Sequence, residues 1–146
     1  MSKSVIQIKI KKLDKNVKIP SYAYKGDAGL DLYSNEEKIL IPNYRTEIKT
    51  GIAIEIPKDY VGLVWDKGSL PLKHGIKTMG GVFDSGFRGE YKIILVNLSS
   101  KPFEIKKGMK IAQLLIQKVE HSKIIEAKKL SPTERGEKRL GSSGKF

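Results

Sequence analysis

Short apolar segments, each separated from the next by glycine or proline, constrain the fold of this chain more than any other feature. Alternation is clearest from Val5 to Lys11, where isoleucine occupies every second position, and it returns from Thr46 to Pro57. Successive side chains of a strand point to opposite faces, so these segments are predicted to be half-buried strands. Further short strands are expected within residues 30–34, 39–43, 61–65, 82–83, 91–96, 102–107 and 108–117. The pattern predicts an all-β protein with a jelly-roll or barrel-like arrangement.

One segment departs from the strand pattern and is predicted to be a short helix. Ser69 is a candidate N-cap, Pro71 lies in the first turn, and Gly75 is placed to end the helix. Residues 1–130 are expected to form a single all-β domain. Residues 131–146, which contain glycine, serine and several charged residues, are expected to form a flexible C-terminal arm.

Composition excludes several kinds of site. The 146-residue chain has no cysteine, which rules out disulfides and thiolate metal sites, and two histidines argue against a multi-histidine metal site. Its N-terminus lacks the apolar run of a signal peptide. No segment approaches the roughly 20 apolar residues of a membrane helix. A soluble, cytoplasmic protein with no membrane partner is therefore expected.

The charge of the chain indicates an anionic partner. A net charge of +12 and a pI near 9.8 leave nucleic acid, a membrane surface and nucleotide phosphate as candidates. The lysines are scattered singly through the predicted strands and do not form one block, which makes a nucleic-acid partner the less favoured of these. About half of the excess charge is assigned to an ordinary solvated surface.

The candidate site with the strongest local signal lies between residues 78 and 91. Asp84 is flanked by two pairs of glycines and is followed closely by Phe87 and Arg88. The strands on either side are expected to form a hairpin, with Asp-Ser-Gly as its tight turn. Glycine allows a planar ligand to approach the backbone closely, with Asp84 beside it. From these residues alone, an ordinary hairpin with an aspartate that forms the turn is the simpler interpretation.

Five segments occur in a fixed order along the chain: Asp27-Ala-Gly-Leu-Asp31-Leu; Lys67-Gly-Ser-Leu70 with Lys73-His-Gly-Ile76; Gly80-Gly-Val-Phe-Asp84-Ser-Gly-Phe87-Arg-Gly89; Gly108-Met-Lys-Ile-Ala-Gln113-Leu; and Arg135-Gly with Gly141-Ser-Ser-Gly144. In order and spacing they resemble the trimeric dUTPases (deoxyuridine 5′-triphosphate nucleotidohydrolases). The resemblance implies a distorted jelly roll, a homotrimer with active sites at subunit interfaces, and Mg²⁺-dependent hydrolysis of dUTP to dUMP and pyrophosphate.

The same resemblance implies roles for the residues around the nucleoside. Asp84 matches the carboxylate that activates the water attacking the α-phosphorus. Phe87 matches an aromatic residue, usually tyrosine, that packs under the deoxyribose and leaves no room for a ribose hydroxyl. The residues that match backbone contacts to uracil are Gly80, Gly81, Val82, Phe83 and Lys92.

Phosphate contacts are implied for the second and fourth segments. Lys67, Gly68 and Ser69 match the usual Arg-Ser-Gly triplet, but lysine replaces arginine, so the bidentate guanidinium fork is lost. Gln113 matches a glutamine that contacts the α-phosphate. Asp31 matches an acid that supports the phosphate and Mg²⁺ network through waters, with no direct protein ligand to the ion.

The resemblance further implies that residues 1–130 are a nucleotide-binding domain and that residues 131–146 are an arm that closes over an active site. The arm retains only part of the family pattern. Arg135, Ser142 and Ser143 match the contacts to the γ-phosphate, and arginine is well suited to bind phosphate. Leu140 occupies the position of a phenylalanine that stacks on uracil when the arm closes. Leucine can cover the base but cannot stack as an aromatic ring does, so closure is expected to be less effective here.

Two alternatives stay open at this point. A dCTP deaminase shares the expected fold, but its chemistry resembles one that needs a glutamate on the strand after Asp84, and residues 92–97 contain none. A nucleotide-sensing or nucleic-acid-binding protein on the same scaffold would account for the altered segments and the charge. It would not account for the retention of Asp84.

Overall fold

The computed structural model describes residues 5–146. Within them the chain forms ten strands and one helix, in the order β1 (Lys9–Lys12), β2 (Leu30–Tyr33), β3 (Lys38–Leu40), β4 (Arg45–Glu55), β5 (Tyr60–Trp65), α1 (Ser69–His74), β6 (Ile76–Met79), β7 (Val82–Asp84), β8 (Glu90–Asn97), β9 (Phe103–Ile105) and β10 (Lys110–Lys118). The prediction of an all-β chain with a single short helix is confirmed for this part of the chain.

The strands form three antiparallel sheets. The first has the order β1-β4-β8-β6, the second β2-β10-β5-β7, and the third pairs β3 with β9. Neighbours in the two larger sheets are mostly distant in sequence, as in a jelly roll. The described sheets remain open layers and do not close into a continuous barrel.

Alternation along the strands builds the core. Every second residue of β8 is buried, beginning with Tyr91 and Ile93, while the residues between them are partly exposed. Isoleucines of β4 pack into the same core as leucines of β2 and β10 from the second sheet. Burial of one such side chain stabilises the fold by about 1.5–3 kcal/mol, so the two larger sheets are held together mainly by this shared apolar layer.

The predicted hairpin around Asp84 is wrong, although its turn is right. The backbone nitrogen of Phe87 donates to the carbonyl of Asp84 at 3.1 Å, which closes the turn. The flanking strands then part, because β7 pairs with β5 in the second sheet and β8 pairs with β4 and β6 in the first. The turn therefore carries the chain from one sheet to the other. Strand β6, which the sequence did not predict, completes the first sheet.

Two further predictions need correction. The strand expected from Val5 begins only at Lys9, because β4 ends at Glu55, opposite Lys9, and offers no partner to the residues before it. Helix α1 forms as predicted and ends at Gly75, whose φ is 65°. Its N-cap, however, is Gly68, and no side chain caps it, so Ser69 is the first helical residue and not the cap.

The last part of the chain contributes no regular element. Residues 119–146 contain neither helix nor strand and are exposed almost throughout. Among the described residues there is also no helix long and apolar enough to cross a membrane.

Candidate active site

A buried carboxylate organises the edge of the second sheet. Asp31 lies opposite Gln113 in the pairing of β2 with β10, and only 2% of it is exposed. Nζ of Lys67 lies 2.6 Å from its Oδ1, and Nζ of Lys110 lies 2.8 Å from its Oδ2. Burial opposes ionisation, but the hydrogen bonds and charges of Lys110 and Lys67 outweigh it and hold the pKa of Asp31 below its usual value. The result is an ionised acid fixed between two cations.

Gln113 is fixed from both sides. Its Nε2 donates to the backbone oxygen of Asp66 at 2.8 Å. On the other side, a Cβ at Gly29 would lie 2.2 Å from Oε1 of Gln113, so only glycine leaves room for the glutamine. The side chain is partly buried and lies on the same strand face as Asp31.

Asp66 is a structural residue of this site that the sequence analysis missed. Its Oδ1 accepts hydrogen bonds from the backbone nitrogen of Thr78 at 2.7 Å and from the hydroxyl of Thr78 at 2.8 Å, and its Oδ2 lies 2.9 Å from Nζ of Lys77. These contacts outweigh the effect of burial and lower the pKa of Asp66. Because Lys67 is the next residue, Asp66 anchors the start of the predicted phosphate-binding triplet to β6.

The triplet itself opens helix α1. The carbonyl of Lys67 accepts from the backbone nitrogen of Leu70 at 2.8 Å, and Gly68 occupies the N-cap in open surroundings. Ser69 follows as the first helical residue, and its hydroxyl makes no capping bond. The ammonium group of Lys67 contacts Asp31, and 29% of the Lys67 side chain is exposed.

The glycines before β7 are required by the geometry of their turn. Gly80 has a φ of 58°, in the left-handed region that favours glycine. A Cβ on Gly81 would lie 2.5 Å from the carbonyl oxygen of Val64, whose nitrogen donates to Gly81 at 2.8 Å. This close approach shapes a recess of about 230 Å³ lined by segments 63–65 and 77–82.

Asp84 differs from Asp31 in its exposure and in its lack of partners. It is the last residue of β7, it is exposed, and its carboxylate makes no hydrogen bond or ion pair with any residue between 5 and 146. Nearby, the rings of Phe83 and Tyr91 stack with centroids 4.1 Å apart, and the ring of Phe87 lies 5.9 Å from each. A Cβ on Gly89 would lie 2.7 Å from Cζ of Phe87. The aromatic cluster and Gly89 together fix the position of the Phe87 ring, three residues beyond Asp84.

Tyr91 forms the buried base of this aromatic cluster. The residue has no exposed surface, and its hydroxyl has no hydrogen-bond partner among the described residues. Burial raises the pKa of Tyr91 to about 12, an effect that the charge of Arg88 opposes. The phenol is therefore neutral at physiological pH and acts here as a ring that supports Phe83 and Phe87.

Lys92 lies on β8 just beyond the point at which the neighbouring strand β6 ends. Strand β6 ends at Met79, opposite Ile94 of β8, so β8 has no strand partner on that side at Lys92. The side chain of Lys92 turns to Glu47, with Nζ 3.2 Å from Oε1. The backbone edge at Lys92 thus borders the glycine turn at residues 80–81.

The residues predicted to contact the nucleoside (Gly80 to Phe87, and Lys92) and those predicted to contact phosphate (Asp31, Lys67 to Ser69, and Gln113) form two groups. Within one chain, Asp84 of the first group lies far from Gln113 of the second. In β5, Val61 lies opposite Asp84, while Trp65 lies opposite Gln113 on the other side of the strand. Four residues along a strand and two strand spacings across it separate Asp84 from Gln113 by roughly 16 Å. Side chains of this length cannot both contact one phosphorus atom across that distance.

The predicted arm residues stand apart from both groups. Nε and Nη2 of Arg135 donate to the backbone oxygens of Lys138 and Arg139 at 2.9 and 3.0 Å. Leu140, Ser142 and Ser143 are exposed. No hydrogen bond or ion pair joins residues 131–146 to the rest of the described chain.

No group of three or more His, Asp or Glu side chains in residues 5–146 is arranged to hold a metal ion. Asp31, the most buried acid of the candidate site, is already paired with two lysines. The donors present therefore fit a Mg²⁺ ion that keeps its waters and is held through a substrate, and they do not fit an ion held by a protein cage.

Comparison with known proteins gives a consistent result. The dUTPase family model matches residues 15–144. Deoxyuridine 5′-triphosphate nucleotidohydrolase of Clostridium kluyveri is 44% identical over 141 residues, which cover 95% of this chain and 99% of that protein. Its counterpart from Nautilia profundicola is 44% identical over 142 residues, with coverage of 96% and 100%.

Solved structures give the same family. A dUTPase of Staphylococcus bacteriophage 80alpha with dUPNHPP superposes with a TM-score of 0.85 at 29% identity, and the match covers 96% of this chain and 99% of that one. A point mutant of the 80alpha phage enzyme reaches a TM-score of 0.86, again at 29% identity, with coverage of 94% and 98%. The matched family model and these relatives show that the chain belongs to the dUTPase family.

Proposed function

We propose that this protein hydrolyses dUTP to dUMP and pyrophosphate. The observation that carries the proposal is the unpaired, exposed carboxylate of Asp84, which follows the glycine turn in a chain that matches dUTPases over nearly its full length. A nucleotide-pool enzyme of this kind would act in the cytoplasm.

In the proposed reaction, Asp84 accepts a proton from the attacking water. The water oxygen forms a bond to the α-phosphorus while the bond from that phosphorus to the α,β-bridging oxygen breaks. Pyrophosphate leaves with the bridging oxygen, and dUMP retains the new oxygen. The absence of a competing partner for the Asp84 carboxylate in the described chain supports this role, because such a group is free to bind water.

Recognition of the nucleoside is assigned to the turn and strands around residue 81. Backbone groups of Gly80, Gly81, Val82, Phe83 and Lys92 contact uracil in this proposal, and the recess between β5 and β7 supports it. Cytosine would leave some of these backbone groups unpaired, so the site discriminates against dCTP in favour of dUTP. Phe87, fixed by its aromatic neighbours, excludes a ribose hydroxyl by steric contact.

Binding of the triphosphate is assigned to the other residue group. Lys67 and the backbone of Gly68 and Ser69 contact phosphate oxygens, and Gln113 contacts the α-phosphate. Mg²⁺ would be held by the triphosphate and waters, with Asp31 in the surrounding network, and its chemistry would be the neutralisation of phosphate charge. The ion pairs of the buried Asp31 with two partly exposed lysines support this assignment because they preorganise a cationic surface.

The separation of the two groups supports an assembly of several copies. Because Asp84 and Gln113 lie roughly 16 Å apart in one chain, a complete site needs Asp84 from one subunit and Gln113 from another. The outward face of β5 and β7 is also apolar, with Trp65 54% and Val82 66% exposed. An apolar face of this kind is typical of a subunit interface. We propose a homotrimer with interface active sites, as in the resembling family.

Residues 131–146 are proposed to close over the nucleotide as an arm attached to a domain of residues 1–130. In the structure the guanidinium of Arg135 donates to the backbone oxygens of Lys138 and Arg139. On closure it would exchange these neutral acceptors for the γ-phosphate, a stronger charge-assisted contact, with Ser142 and Ser143 beside it. Leu140 would cover the base.

The deciding experiment measures pyrophosphate release from dUTP, dCTP, dTTP and UTP with Mg²⁺. We expect turnover of dUTP alone. Binding of dUTP without cleavage would favour a nucleotide-sensing protein, and DNA binding that falls steeply with salt would favour a nucleic-acid partner. Ammonia release from dCTP would replace the proposal with a deaminase.

A further inference from the structure

Thr78 is the last buried residue before the glycine turn at residues 80–81, and each of its polar groups is held in place. Its backbone nitrogen and its hydroxyl both donate to Oδ1 of Asp66, at 2.7 and 2.8 Å. Its carbonyl oxygen accepts from Nζ of Lys77 at 3.0 Å, and the same ammonium group lies 2.9 Å from Oδ2 of Asp66. Asp66 and Lys77 therefore fix Thr78 at three points.

The glycine turn is held at both ends by one short segment, residues 64–66. Two residues after Thr78 comes Gly80, whose φ of 58° begins the turn. At the far end, the backbone nitrogen of Val64 donates to the carbonyl of Gly81 at 2.8 Å. The end of β5 and the residue that follows it thus hold both sides of the turn to which recognition of the base is assigned.

One of these two attachments depends on a side chain. The contact between Val64 and Gly81 joins backbone groups, whereas the contacts to Thr78 are made by the carboxylate of Asp66. Strand β6 lies at the edge of the first sheet, with β8 on one side, and Asp66 restrains β6 on the other. Loss of the carboxylate would free this end of the turn.

We propose that Asp66 is a positioning residue for base recognition: it fixes Thr78, and through Thr78 it holds the backbone groups of Gly80 and Gly81 at the spacing that uracil requires. This inference rests on the proposed dUTP hydrolysis. Uracil and cytosine differ in the pattern of donors and acceptors on one edge, and a backbone that moves can adapt to either pattern. The effect of Asp66 is therefore on the choice of base.

The phosphate contacts provide an internal reference for this effect. Nε2 of Gln113 donates to the backbone oxygen of Asp66 at 2.8 Å, and that oxygen remains when the side chain is changed. Lys67 keeps its own ion pair with Asp31. Two ligands with the same triphosphate and different bases therefore isolate the contribution of the base.

The test measures the affinity of the full-length protein for dUpNHpp and for dCpNHpp, two non-cleavable imido analogues, by titration calorimetry. Asp66→Ala removes the carboxylate and with it both acceptor contacts to Thr78. Asp66→Asn keeps an oxygen that can accept from Thr78 but loses the charge that pairs with Lys77. A comparison of the two variants separates the hydrogen-bonded anchor from the ion pair.

Asp14→Ala is the matched control. Like Asp66, Asp14 accepts a hydrogen bond from a backbone nitrogen, that of Asn16 at 3.0 Å. It also accepts from the side chain of Asn35 at 3.4 Å and lies 3.8 Å from Nζ of Lys107. The substitution thus removes the same kinds of contact at a position to which no part of the site is assigned.

We expect Asp66→Ala to lower the preference for dUpNHpp over dCpNHpp by about tenfold, the equivalent of one hydrogen bond to the base. Asp66→Asn and Asp14→Ala should keep the preference within about twofold of wild type. An unchanged preference in Asp66→Ala would overturn the inference, as would an equal fall in Asp14→Ala or in Asp66→Asn.

A second variant covers the case in which Asp66→Ala does not fold. Thr78→Val keeps the branched shape of the side chain and removes one of the two donors to Asp66. The preference for dUpNHpp should then fall by about three- to fivefold, and a wild-type preference would refute the anchor. Wild-type protein that shows no preference for dUpNHpp and releases no pyrophosphate from dUTP refutes the proposed function instead, so the two failures are distinct.

Discussion

Asp31 and Asp84 are the same residue type in opposite surroundings. Asp31 is buried and bound by two lysines, and its pKa is lowered by them. Asp84 is exposed at the end of an edge strand and has no partner in the described chain. The first carboxylate is committed to holding cations in place, whereas the second is free to bind a water molecule.

The difference shows how one small fold separates positioning from chemistry. A carboxylate that must accept a proton loses that ability if a lysine already occupies it, because an ion pair stabilises the charged form. A carboxylate that must fix cations needs the opposite arrangement. The two acids lie on different strands of the second sheet, on either side of β10 and β5, which keeps the lysines of one away from the other.

The largest expected effect follows from removing the free carboxylate. Asp84→Asn keeps the shape of the side chain but cannot accept a proton, so the rate of dUTP hydrolysis should fall roughly 10²–10⁴-fold. Affinity for dUpNHpp should stay within a few-fold of wild type, since no binding contact is lost. Single-turnover rates and calorimetry measure the two quantities. A variant that hydrolyses dUTP at the normal rate would remove Asp84 from the mechanism.

Removal of the paired carboxylate should act on binding and stability. Asp31→Asn leaves Lys67 and Lys110 without their shared anion, and partial exposure of both amines limits the cost to about 1–2 kcal/mol of unfolding free energy. The KM for dUTP should rise by about tenfold because the two cations are no longer positioned. Urea denaturation and steady-state kinetics give both values. A change in kcat with normal KM would contradict the division between the two acids.

Sugar discrimination should depend on a glycine that touches no ligand. In Gly89→Ala the added methyl meets the far end of the Phe87 ring, which can move away but then leaves its position beside Phe83 and Tyr91. The ratio of kcat/KM for dUTP over UTP should therefore fall by about tenfold. Gly86→Ala, which has open space around its added methyl, is the matched control. Equal ratios in both variants would show that the ring does not need this support.

The elements that could be predicted from sequence are those whose signal is local. Alternation along β4 and β8 is enough to predict strands, and Gly75 is enough to end α1. The choice of partner strand is not a local property. The three residues of β7 pair with β5, so the turn at Asp84 joins two sheets although its sequence is that of a hairpin. The short β6 was missed because its burial depends on β8 beside it.

The same distinction applies to the candidate site. Residues such as Asp84 and Gln113 could be named because the family resemblance covers their own segments. Lys110 lies in the fourth segment but was given no role, and Asp66 lies outside all five segments. Both make their contacts with partners elsewhere in the chain. Lys110 meets Asp31 only through the register of β10 with β2, and Asp66 meets Thr78 across the whole of α1.

The smallest expected effect is on the unfolding free energy at acid pH, which should depend on the paired acids. The pKa values of Asp31 and Asp66 are lowered by their partners in the folded protein, so each contributes stability above the unfolded pKa of about 3.9. This contribution is lost as the pH falls through their lower folded values. The unfolding free energy should therefore fall less between about pH 5 and pH 3 in Asp66→Asn than in wild type.

Asp84→Asn is the matched control for this measurement. Its carboxylate makes no hydrogen bond or ion pair with residues 5–146, so the substitution removes no contact of the described chain. Urea denaturation at several values between about pH 5 and pH 3 compares the three proteins. If Asp84→Asn flattened the pH dependence as much as Asp66→Asn, Asp84 would have a stabilising partner in the assembled protein, and its freedom to bind water would have to be reconsidered.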